Sequence, residues 1–380
     1  MIKKVAILAN GGDVAGFNAV IRAIKKTAET NGIECYGYID GYRGLVNNNY
    51  IRLDGNEKAS GILQKGGSII GSSTNAIVFH YKVENPDGTV EYKDLSDQCV
   101  ENVKNAGFDC VFTLGGDSTQ KGARDLFIKG INVIGVPKTI DNDVACTDIT
   151  FGYNTAVSVA TDAIDRLHTT AETHNRIMVL EVMGRSAGWI ALESAISGGA
   201  DVALIPEIPY DINKAAEAIN KRKAAGKNFS VVVVSEGAFP KDGETTSHAA
   251  EGIDSKAGIS IKYGGAGQKV AKELQELTGL ESRCTTLGYM QRGGSPTAYD
   301  RVLSTKYGAK AMELAIEGKF GVLTVLKNGK LDYVPLEEVI GNNKELGAVQ
   351  GGTENSNVRN VTMDHDLVKT ALDIGICLGE

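Results

Sequence analysis

The sequence predicts an α/β protein built on doubly wound, mostly parallel sheets. Uninterrupted apolar runs rich in β-branched residues recur along the chain, which is typical of strands covered on both faces. Longer stretches with the 3.6-residue period of amphipathic helices separate these runs. The length of 380 residues is enough for two lobes that each bury a core. We therefore expect two Rossmann-like lobes that meet near residue 150.

The first two elements are a strand and a helix. The run Val-Ala-Ile-Leu at 5–8 predicts the strand. The helix is predicted over 17–29, because Val20, Ile21 and Ile24 recur on one helical face.

The same alternation continues through the rest of the chain. A strand over 110–114 precedes a helix that runs from about 119 to 128. The third strand, 133–136, is predicted to end before Pro137, which cannot donate a hydrogen bond to a ladder. The later predicted strands cover 177–182, 202–205 and 230–234.

The charge balance and the cysteines exclude several classes of protein. The net charge of −7 and the isoelectric point near 5.5 argue against a nucleic-acid-binding protein. The N-terminus lacks the features of a signal peptide, and no run approaches the roughly 18 apolar residues of a membrane helix. The six cysteines are scattered without metal-ligand spacing, which disfavours a zinc site or a disulfide scaffold. We expect a cytoplasmic protein without nucleic-acid or membrane partners.

Glycine is unusually frequent, with 46 residues or about 12% of the chain, against about 7% in typical proteins. Paired glycines follow two predicted strands, Gly11-Gly12 after the first and Gly115-Gly116 after the second. Ligands of open α/β sheets bind beyond the carboxyl ends of the strands. Glycine lets phosphate oxygens approach backbone N–H groups at a helix N-terminus. The two turns together therefore predict a phosphate-binding site.

Familiar nucleotide-binding motifs do not account for these glycines. The GxxxxGK[ST] sequence of P-loop proteins does not occur. The segment Gly265-Ala266-Gly267 supplies only half of a dinucleotide-binding GxGxxG, because Val270 stands in place of the last glycine. No apolar strand precedes it, so we interpret this segment as an ordinary glycine-rich loop.

Carboxylates and arginines lie near the same strand ends. Asp117 is placed to hold Mg²⁺, which prefers carboxylate oxygens and bridges phosphates. Asp141 and Asp143 share a loop with Lys138 and Thr139, so one carboxylate can act as base toward a substrate hydroxyl. Arginine is suited to bidentate phosphate recognition. The arginines next to strand ends or glycine turns, which together indicate a sugar phosphate, are Arg176, Arg185, Arg283 and Arg292.

Three segments are the most specific in the chain: PKTIDND at 137–143, MGR at 183–185 and LGYMQRGGSP at 287–296. With them, the chain resembles the phosphofructokinase family nearly end to end. The similarity is to the bacterial 6-phosphofructokinases, within the group that includes both ATP and pyrophosphate users.

The resemblance implies Mg²⁺-dependent phosphoryl transfer to the C1 hydroxyl of fructose 6-phosphate, which gives fructose 1,6-bisphosphate in glycolysis. It implies a donor-binding lobe of 1–152 plus 292–341 and a sugar-binding lobe of 153–291 plus 342–380, with the active site in the cleft between them. It also implies a homotetramer whose active sites are shared between subunits.

The resemblance further implies a role for each matching residue. Asp141 takes the proton from the C1 hydroxyl, and the other catalytic residues are Lys138, Thr139 and Arg185. The residues implied to bind the sugar phosphate are Thr139, Ile140, Asp141, Arg176, Met183, Gly184, Arg185, Glu236, Arg283, Tyr289 and Arg292. Of these, Arg176 and Arg283 reach the 6-phosphate from a neighbouring subunit. The residues implied to bind the donor are Gly12, Gly116, Asp117, Ser118 and Thr119, and Asp117 carries the metal.

Two positions bear on the identity of the donor and point in different directions. Ser118 stands where ATP users of the family generally have Gly and pyrophosphate users have Asp. Because Ser is small and neutral, it leaves room for the nucleotide. Lys138 is usual in pyrophosphate users. We favour ATP as the donor and keep pyrophosphate as the alternative.

Other positions depart from the family pattern. No arginine occurs in 71–75, where the family normally has one that helps to bind the transferred phosphate. This keeps open a weakly active paralogue that binds sugar phosphate and has a regulatory or assembly role. Tyr289 stands where many relatives have His, and a tyrosine can still donate to a phosphate. Gly55 and His168 replace effector-binding arginines, so we expect no control by nucleoside diphosphates or phosphoenolpyruvate.

Overall fold

The computed structural model describes residues 2–55, 59–74, 76–243, 247–249, 261–341 and 357–380. The strands are β1 (Lys4–Ala9), β2 (Glu34–Tyr38), β3 (Tyr50–Arg52), β4 (Tyr81–Glu84), β5 (Val90–Lys93), β6 (Cys110–Gly115), β7 (Val133–Thr139), β8 (Phe151–Gly152), β9 (Ile177–Val182), β10 (Val202–Leu204), β11 (Ser230–Ser235), β12 (Ser247–Ala249), β13 (Ile261–Tyr263), β14 (Ser282–Thr286), β15 (Val322–Lys327) and β16 (Lys330–Pro335). The helices are α1 (Phe17–Thr30), α2 (Tyr42–Val46), α3 (Ser96–Ala106), α4 (Asp117–Ile128), α5 (Tyr153–His174), α6 (Trp189–Gly198), α7 (Ile212–Ala224), α8 (Ala266–Thr278), α9 (Ala298–Ile316), α10 (Leu336–Val339) and α11 (Asp366–Asp373).

Two mostly parallel sheets organise these elements. The larger sheet has the order β16-β15-β7-β6-β1-β2-β3, and β8 pairs with β7. Its central strands are parallel, and its antiparallel pairs, β2 with β3 and β15 with β16, lie at the margins. The smaller sheet has the order β10-β11-β9-β14, and all of its pairs are parallel. The predicted α/β class with mostly parallel sheets is confirmed.

The predicted end of the third strand is wrong. β7 continues to Thr139, and Pro137 pairs in register with Gly115 of β6. On the other edge of β7, the register with β15 stops at Gly135 and the register with β8 begins at Lys138. Pro137 thus lies between the two partners on that edge, where a missing N–H costs no ladder hydrogen bond. The longer strand carries Lys138 and Thr139 to the carboxyl edge of the sheet.

One continuous core joins the two sheets. Ile7 of the larger sheet and Phe17 of helix α1 belong to the same cluster as Leu180 of the smaller sheet and Trp189 of helix α6. Separate clusters cover the opposite face of each sheet. The strands are therefore buried on both faces, which explains their uninterrupted apolar sequences.

The chain crosses between the sheets more than once. Helix α5 follows β8 and leads to the smaller sheet, and α9 with β15 returns to the larger one. At the C-terminus, Cys377 pairs with Val202 beside the smaller sheet. The exact lobe boundaries given above stay a prediction. No helix among the described residues is long and apolar enough to cross a membrane.

Candidate active site

The candidate site begins at the carboxyl edge of the larger sheet, where the strand order reverses. β1 lies between β2 and β6, so the helices that follow β1 and β6 pack on opposite faces of the sheet. The loops before these helices carry the two predicted glycine turns, Gly11-Gly12 and Gly115-Gly116. Ligands of doubly wound proteins bind in the crevice between such loops.

The first glycine turn is held by hydrogen bonds from the segment 71–75, which contains no arginine. Gly11 has a positive φ of 85°, and its N–H donates to the Ser73 carbonyl at 2.9 Å. The Ser72 hydroxyl donates to the Gly11 carbonyl at 2.7 Å. Residues 72 and 73 therefore support the turn through hydrogen bonds and bring no cation to it. Asn75, at the end of the segment, lies outside the described residues.

Two cations from other parts of the chain lie against this turn. The Nζ atom of buried Lys138 donates to the Gly12 carbonyl at 2.6 Å. Gly12 has no side chain, and a Cβ atom there would lie 2.6 Å from Nη1 of Arg292. Burial lowers the pKa of Lys138 to about 8, the charge of Arg292 acts in the same direction, and Asp141 opposes it. The turn thus has two cationic side chains packed against it, and both are suited to bind an anion.

The second glycine turn forms the N-terminus of α4. The Gly116 carbonyl accepts the N–H groups of Thr119 and Gln120 at 2.9 and 3.0 Å, which begins the helix at Asp117. A Cβ atom on Gly115 would overlap the Thr119 side chain. A Cβ atom on Gly116 would lie 3.3 Å from the nearest atom, the carbonyl oxygen of Lys138. Glycine is therefore needed at 115 for packing, whereas a side chain at 116 would be tight against the Lys138 carbonyl without overlapping it.

The predicted donor-binding residues of the first α4 turn differ in their exposure. Asp117 is half-buried and Ser118 is exposed, so both lie at the surface of the crevice. Thr119 is buried, and its hydroxyl accepts from the Asn10 side chain at 3.4 Å. Thr119 therefore links the second turn to the end of β1.

The loop after β7 has a fixed conformation. The Asp141 N–H donates to the Thr139 hydroxyl at 3.0 Å, and the Thr150 hydroxyl donates to the Thr139 carbonyl at 2.7 Å. The Thr150 N–H donates to the Asn142 side chain at 3.0 Å. Asn142 has a left-handed φ of 54°, which Asn adopts more readily than most residues. Ile140 is buried beneath the loop, and Asp141 is 8% exposed.

Three carboxylates influence one another at this edge. Burial, together with the charges of Asp141 and Asp117, raises the pKa of Asp143 to about 7, and Arg185 opposes this rise. Such mutual repulsion is relieved by a divalent cation, and Mg²⁺ typically takes one or two carboxylates and completes its shell with water and phosphate oxygens. The described residues contain no cluster of three or more side chains that alone suffices for a metal. The donor set fits Mg²⁺ held jointly with a phosphorylated substrate.

The smaller sheet contributes the loop after β9. Gly184 has a φ of 145°, and Arg185 is left-handed with a φ of 52°. The Met183 N–H donates to Oε1 of buried Gln291 at 2.8 Å, and the Arg185 N–H donates to Oε1 of Glu236 at 3.1 Å. Burial raises the pKa of Glu236, and the hydrogen bond from Arg185 opposes this effect.

A contact between Arg185 and Asp141 spans the gap between the two sheets. The Nε atom of Arg185 lies 3.9 Å from Oδ2 of Asp141. Arg185 follows β9 of the smaller sheet and Asp141 follows β7 of the larger one. The Arg185 side chain is 61% exposed, so it remains available to an anionic ligand in this gap.

Tyr289 and Arg292 lie near the first glycine turn. The Arg292 guanidinium stacks on the Tyr289 ring, with its carbon 5.4 Å from the ring centroid, while one nitrogen approaches Gly12. The Tyr289 side chain is otherwise exposed. These two residues therefore border the gap in the same chain as Asp141.

Arg176 and Arg283 do not join this group of residues. Arg176 donates to Glu281 at 2.7 Å, and Arg283 forms an ion pair with the same carboxylate. Arg176 precedes β9 and Arg185 follows it, so the six residues of the strand place them about 20 Å apart. Arg176 and Arg283 therefore lie at the amino ends of the strands of the smaller sheet, whereas Arg185 lies at the carboxyl ends.

The segment Gly265-Ala266-Gly267 is not the loop that we predicted, because β13 precedes it and α8 begins at Ala266. The N–H groups of Gly265 and Gly267, at the start of α8, donate to the buried Glu181 carboxylate at 3.1 and 2.7 Å. A carboxylate of the protein therefore occupies the place that a pyrophosphate takes in dinucleotide-binding helices.

The two positions expected to lack effector contacts have other environments. Gly55 is exposed with a φ of 66°. Nε2 of His168 lies 2.9 Å from the Gly198 carbonyl, where α5 packs on α6. The absence of allosteric control stays a prediction.

One contributor to the site escaped the sequence analysis. The Arg359 N–H donates to the Asp143 carbonyl at 2.8 Å, and its Nη1 donates to the Asn142 carbonyl at 3.2 Å. Arg359 belongs to no motif and lies more than 200 residues from this loop. No local pattern predicts such a contact.

Glycine turns, carboxylates and cations from two sheets thus converge on one gap. With the α/β fold, this arrangement defines a two-lobed phosphotransferase. The chain belongs to the phosphofructokinase family, since the family model described as Phosphofructokinase matches residues 4–315.

Relatives along the full length support this assignment. The chain is 51% identical over 381 residues to ATP-dependent 6-phosphofructokinase 2 of Clostridium perfringens, covering 100% of this chain and 99% of the relative. It is 43% identical over 378 residues to ATP-dependent 6-phosphofructokinase of Chloroflexus aggregans, covering 100% and 98%.

Solved structures show the same fold. Pichia pastoris phosphofructokinase in the T-state matches with a TM-score of 0.74 and 30% identity over 89% of this chain, which spans only 35% of that longer chain. The pyrophosphate-dependent phosphofructokinase of Marinobacter aquaeolei matches with a TM-score of 0.75 and 22% identity, over 99% of this chain and 88% of that one. At that identity the second likeness concerns the fold alone.

Proposed function

We propose that this protein is an ATP-dependent 6-phosphofructokinase, which acts in glycolysis in the cytoplasm. The observation that carries the proposal is the 3.9 Å approach of Arg185 to Asp141. It places a base and an anion-binding cation in one gap, beside two glycine turns that can receive phosphates. The full-length relatives named above agree with this activity.

ATP binds at the crevice of the larger sheet. Its phosphates lie against Gly12 and the N-terminus of α4, where backbone N–H groups and the helix dipole favour negative charge. The residues that form this part of the site are Gly12, Gly116, Asp117, Ser118 and Thr119. Asp117 would hold Mg²⁺, which would neutralise part of the charge of the donor phosphates.

Fructose 6-phosphate binds against the smaller sheet. The residues that hold the sugar are Thr139, Ile140, Met183, Gly184, Arg185 and Glu236. The residues that contact its 6-phosphate are Tyr289 and Arg292 of the same chain and Arg176 and Arg283 of a neighbouring subunit. Arg176 and Arg283 lie at the end of the smaller sheet away from Arg185, which supports a site shared across a subunit boundary, in a homotetramer.

The reaction is an in-line displacement at the γ-phosphorus of ATP. Asp141 accepts the proton of the C1 hydroxyl as its oxygen forms the new P–O bond, and the bond to the ADP oxygen breaks. Lys138 and Arg185 neutralise charge on the transferred group. Positioning and charge neutralisation supply most of the acceleration in such reactions.

The environment of the first glycine turn favours an active enzyme over an inactive paralogue. The described residues of the segment 71–75 include no cation, because the segment lacks the arginine that is usual in the family. Lys138 and Arg292 nevertheless bring two cations to Gly12 from other elements. Of these, Lys138 can bind the transferred phosphate in place of the missing arginine, while Arg292 contacts the 6-phosphate.

Pyrophosphate is the alternative donor, because Lys138 is buried directly at the proposed phosphate position. A coupled assay of the purified protein with fructose 6-phosphate and Mg²⁺, comparing ATP with pyrophosphate, decides between them. We expect turnover with ATP. Turnover with pyrophosphate alone would show that pyrophosphate and not ATP is the donor. Tight fructose 6-phosphate binding without turnover would favour a weakly active or inactive paralogue.

A further inference from the structure

Arg359 contacts the loop that follows β7 of the larger sheet. Its backbone N–H and its guanidinium donate to the carbonyls of Asp143 and Asn142, at 2.8 and 3.2 Å. These carbonyls belong to the two residues that follow Asp141. A single residue therefore holds consecutive peptide groups of the loop that carries the proposed base.

The same residue is bound to the smaller sheet. Its guanidinium carbon lies 4.1 Å from the centroid of the Trp189 ring, a cation–π distance. The Trp189 indole N–H donates to the Arg359 carbonyl at 2.9 Å. Trp189 is buried and begins α6, four residues after Arg185. Arg359 thus contacts the supports of both Asp141 and Arg185.

Neighbouring residues fix the segment around Arg359 at its two ends. The Asn357 side chain donates to the Glu338 carbonyl at 3.2 Å, beside the larger sheet. The Val361 N–H donates to the Glu207 carboxylate at 2.9 Å, and this carboxylate also accepts the N–H of Gly188, just before α6. The segment is therefore anchored on both sides of the gap.

We propose that Arg359 is a positioning residue that fixes the separation between Asp141 and Arg185. It contacts neither reacting group and acts through the loop carbonyls and the Trp189 ring. This inference rests on the proposed function for its catalytic consequence.

The backbone conformations at the site make such support necessary. Asn142 and Arg185 both have left-handed φ values, 54° and 52°, which persist only where the surroundings hold them. Without the guanidinium, the Asn142 carbonyl loses a charged donor and the loop is free to relax. Because a displacement of about 1 Å can cost roughly a hundredfold in rate, the effect falls mainly on kcat.

The test compares Arg359→Ala and Arg359→Lys with Arg166→Ala as the control. Arg166 pairs with Asp162 on an exposed face of α5, so its removal leaves the gap intact. We expect Arg359→Ala to lower kcat on the order of tenfold to a hundredfold, with KM for fructose 6-phosphate within about threefold. Arg359→Lys keeps the charge and should recover part of the loss. Arg166→Ala should match the parent protein.

Two readouts independent of turnover accompany the kinetics. Trp189 is the only tryptophan in the sequence, so intrinsic fluorescence reports directly on its contact with Arg359. Hydrogen exchange of the peptide that contains 139–150 reports on the loop. We expect both to change in Arg359→Ala and to remain unchanged in Arg166→Ala.

The outcomes separate this inference from the proposed function. Altered fluorescence and faster loop exchange with an unchanged kcat would overturn the positioning role. If the parent protein lacks turnover, the proposed function fails, and the inference then stands or falls on whether loop exchange accelerates. If Arg359→Ala does not fold, Arg359→Lys decides: parental kcat with parental loop exchange overturns the role, and a lower kcat at unchanged KM supports it.

Discussion

Asp141 is the residue on which the proposed chemistry depends most directly. Asp141→Asn keeps the size of the side chain and removes its ability to accept a proton. Because general-base catalysis contributes about 10²- to 10⁴-fold, we expect kcat to fall by roughly a thousandfold. Affinity for fructose 6-phosphate, measured by calorimetry, should change little.

The matched control for this change is Asp165→Asn, on the exposed face of α5. It should leave both kcat and affinity unaltered. Retained turnover in Asp141→Asn would refute the assignment of the base.

Asp143 gives a prediction about stability and pH. Its pKa in the folded protein is raised to about 7, chiefly by burial, above the ordinary value of 3.8. The contribution of this carboxyl to stability is therefore complete below about pH 4 and is lost as the pH rises through 7. Asp143→Asn cannot ionise, so above pH 7 its free energy of unfolding should exceed that of the parent by up to a few kcal/mol.

Urea unfolding in Mg²⁺-free buffer measures the difference in free energy of unfolding between the variant and the parent. It is carried out at about pH 4.5, where most of the Asp143 carboxyl groups in the folded protein are protonated, and at about pH 8, where most are ionised. The advantage of Asp143→Asn should shrink toward the lower pH. Asp165→Asn should show no such trend. An equal stability change at both pH values would mean that the ionisation of Asp143 is not the cause.

At the scale of elements, the turn between β6 and α4 contains two adjacent glycines with different roles. We expect Gly115 to serve packing and Gly116 to serve binding of the donor. A methyl group on Gly115 overlaps Thr119, whereas one on Gly116 lies 3.3 Å from the Lys138 carbonyl oxygen, a tight contact that a shift of a few tenths of an ångström relieves. We expect Gly115→Ala to lower the melting temperature. We expect Gly116→Ala to retain the fold and to raise KM for ATP by about tenfold or more, since the methyl group fills space next to the donor phosphates.

Thermal melting and initial-rate kinetics on the two variants check this distinction, each variant serving as the control for the other. A Gly116→Ala protein with parental KM for ATP would show that the donor does not approach this turn.

The elements also show how far sequence patterns reach. The strand-helix alternation was predictable because buried parallel strands have uninterrupted apolar runs. The continuation of β7 past Pro137 was not, because it depends on which partner faces the missing N–H. The approach of Arg292 to Gly12 and of Arg359 to Asn142 was equally hidden, since the residues in each pair are more than 200 positions apart.

For the molecule as a whole, affinity for phosphates must arise locally. The net charge is −7, so the overall field repels anionic substrates. Lys138, Arg185 and Arg292 offset this repulsion within one gap, because opposite charges at short range outweigh the overall field. The two sheets share a core, so packing and not a flexible linker holds them together.

The proposed sharing of sites between subunits gives a prediction for the assembled protein. Asp141→Ala and Arg283→Ala should each be inactive alone, the first in chemistry and the second in binding of the 6-phosphate. In mixed oligomers, some sites combine Asp141 of one variant with Arg283 of the other and are intact. Co-expression of the two variants should therefore restore activity, up to about a quarter of the parent level for random mixing of two kinds of subunit in a shared site.

In the control, one chain carries both Asp141→Ala and Arg283→Ala. This double variant is co-expressed with the Arg166→Ala protein, which is the active partner. Mixing then yields intact sites only where both contributing subunits carry the native residues. If the Asp141→Ala and Arg283→Ala mixture shows no activity above the sum of its parts, while mass measurement confirms hybrid oligomers, Arg283 does not serve a neighbouring site. The ion pair of Arg283 with Glu281 would then be its whole role.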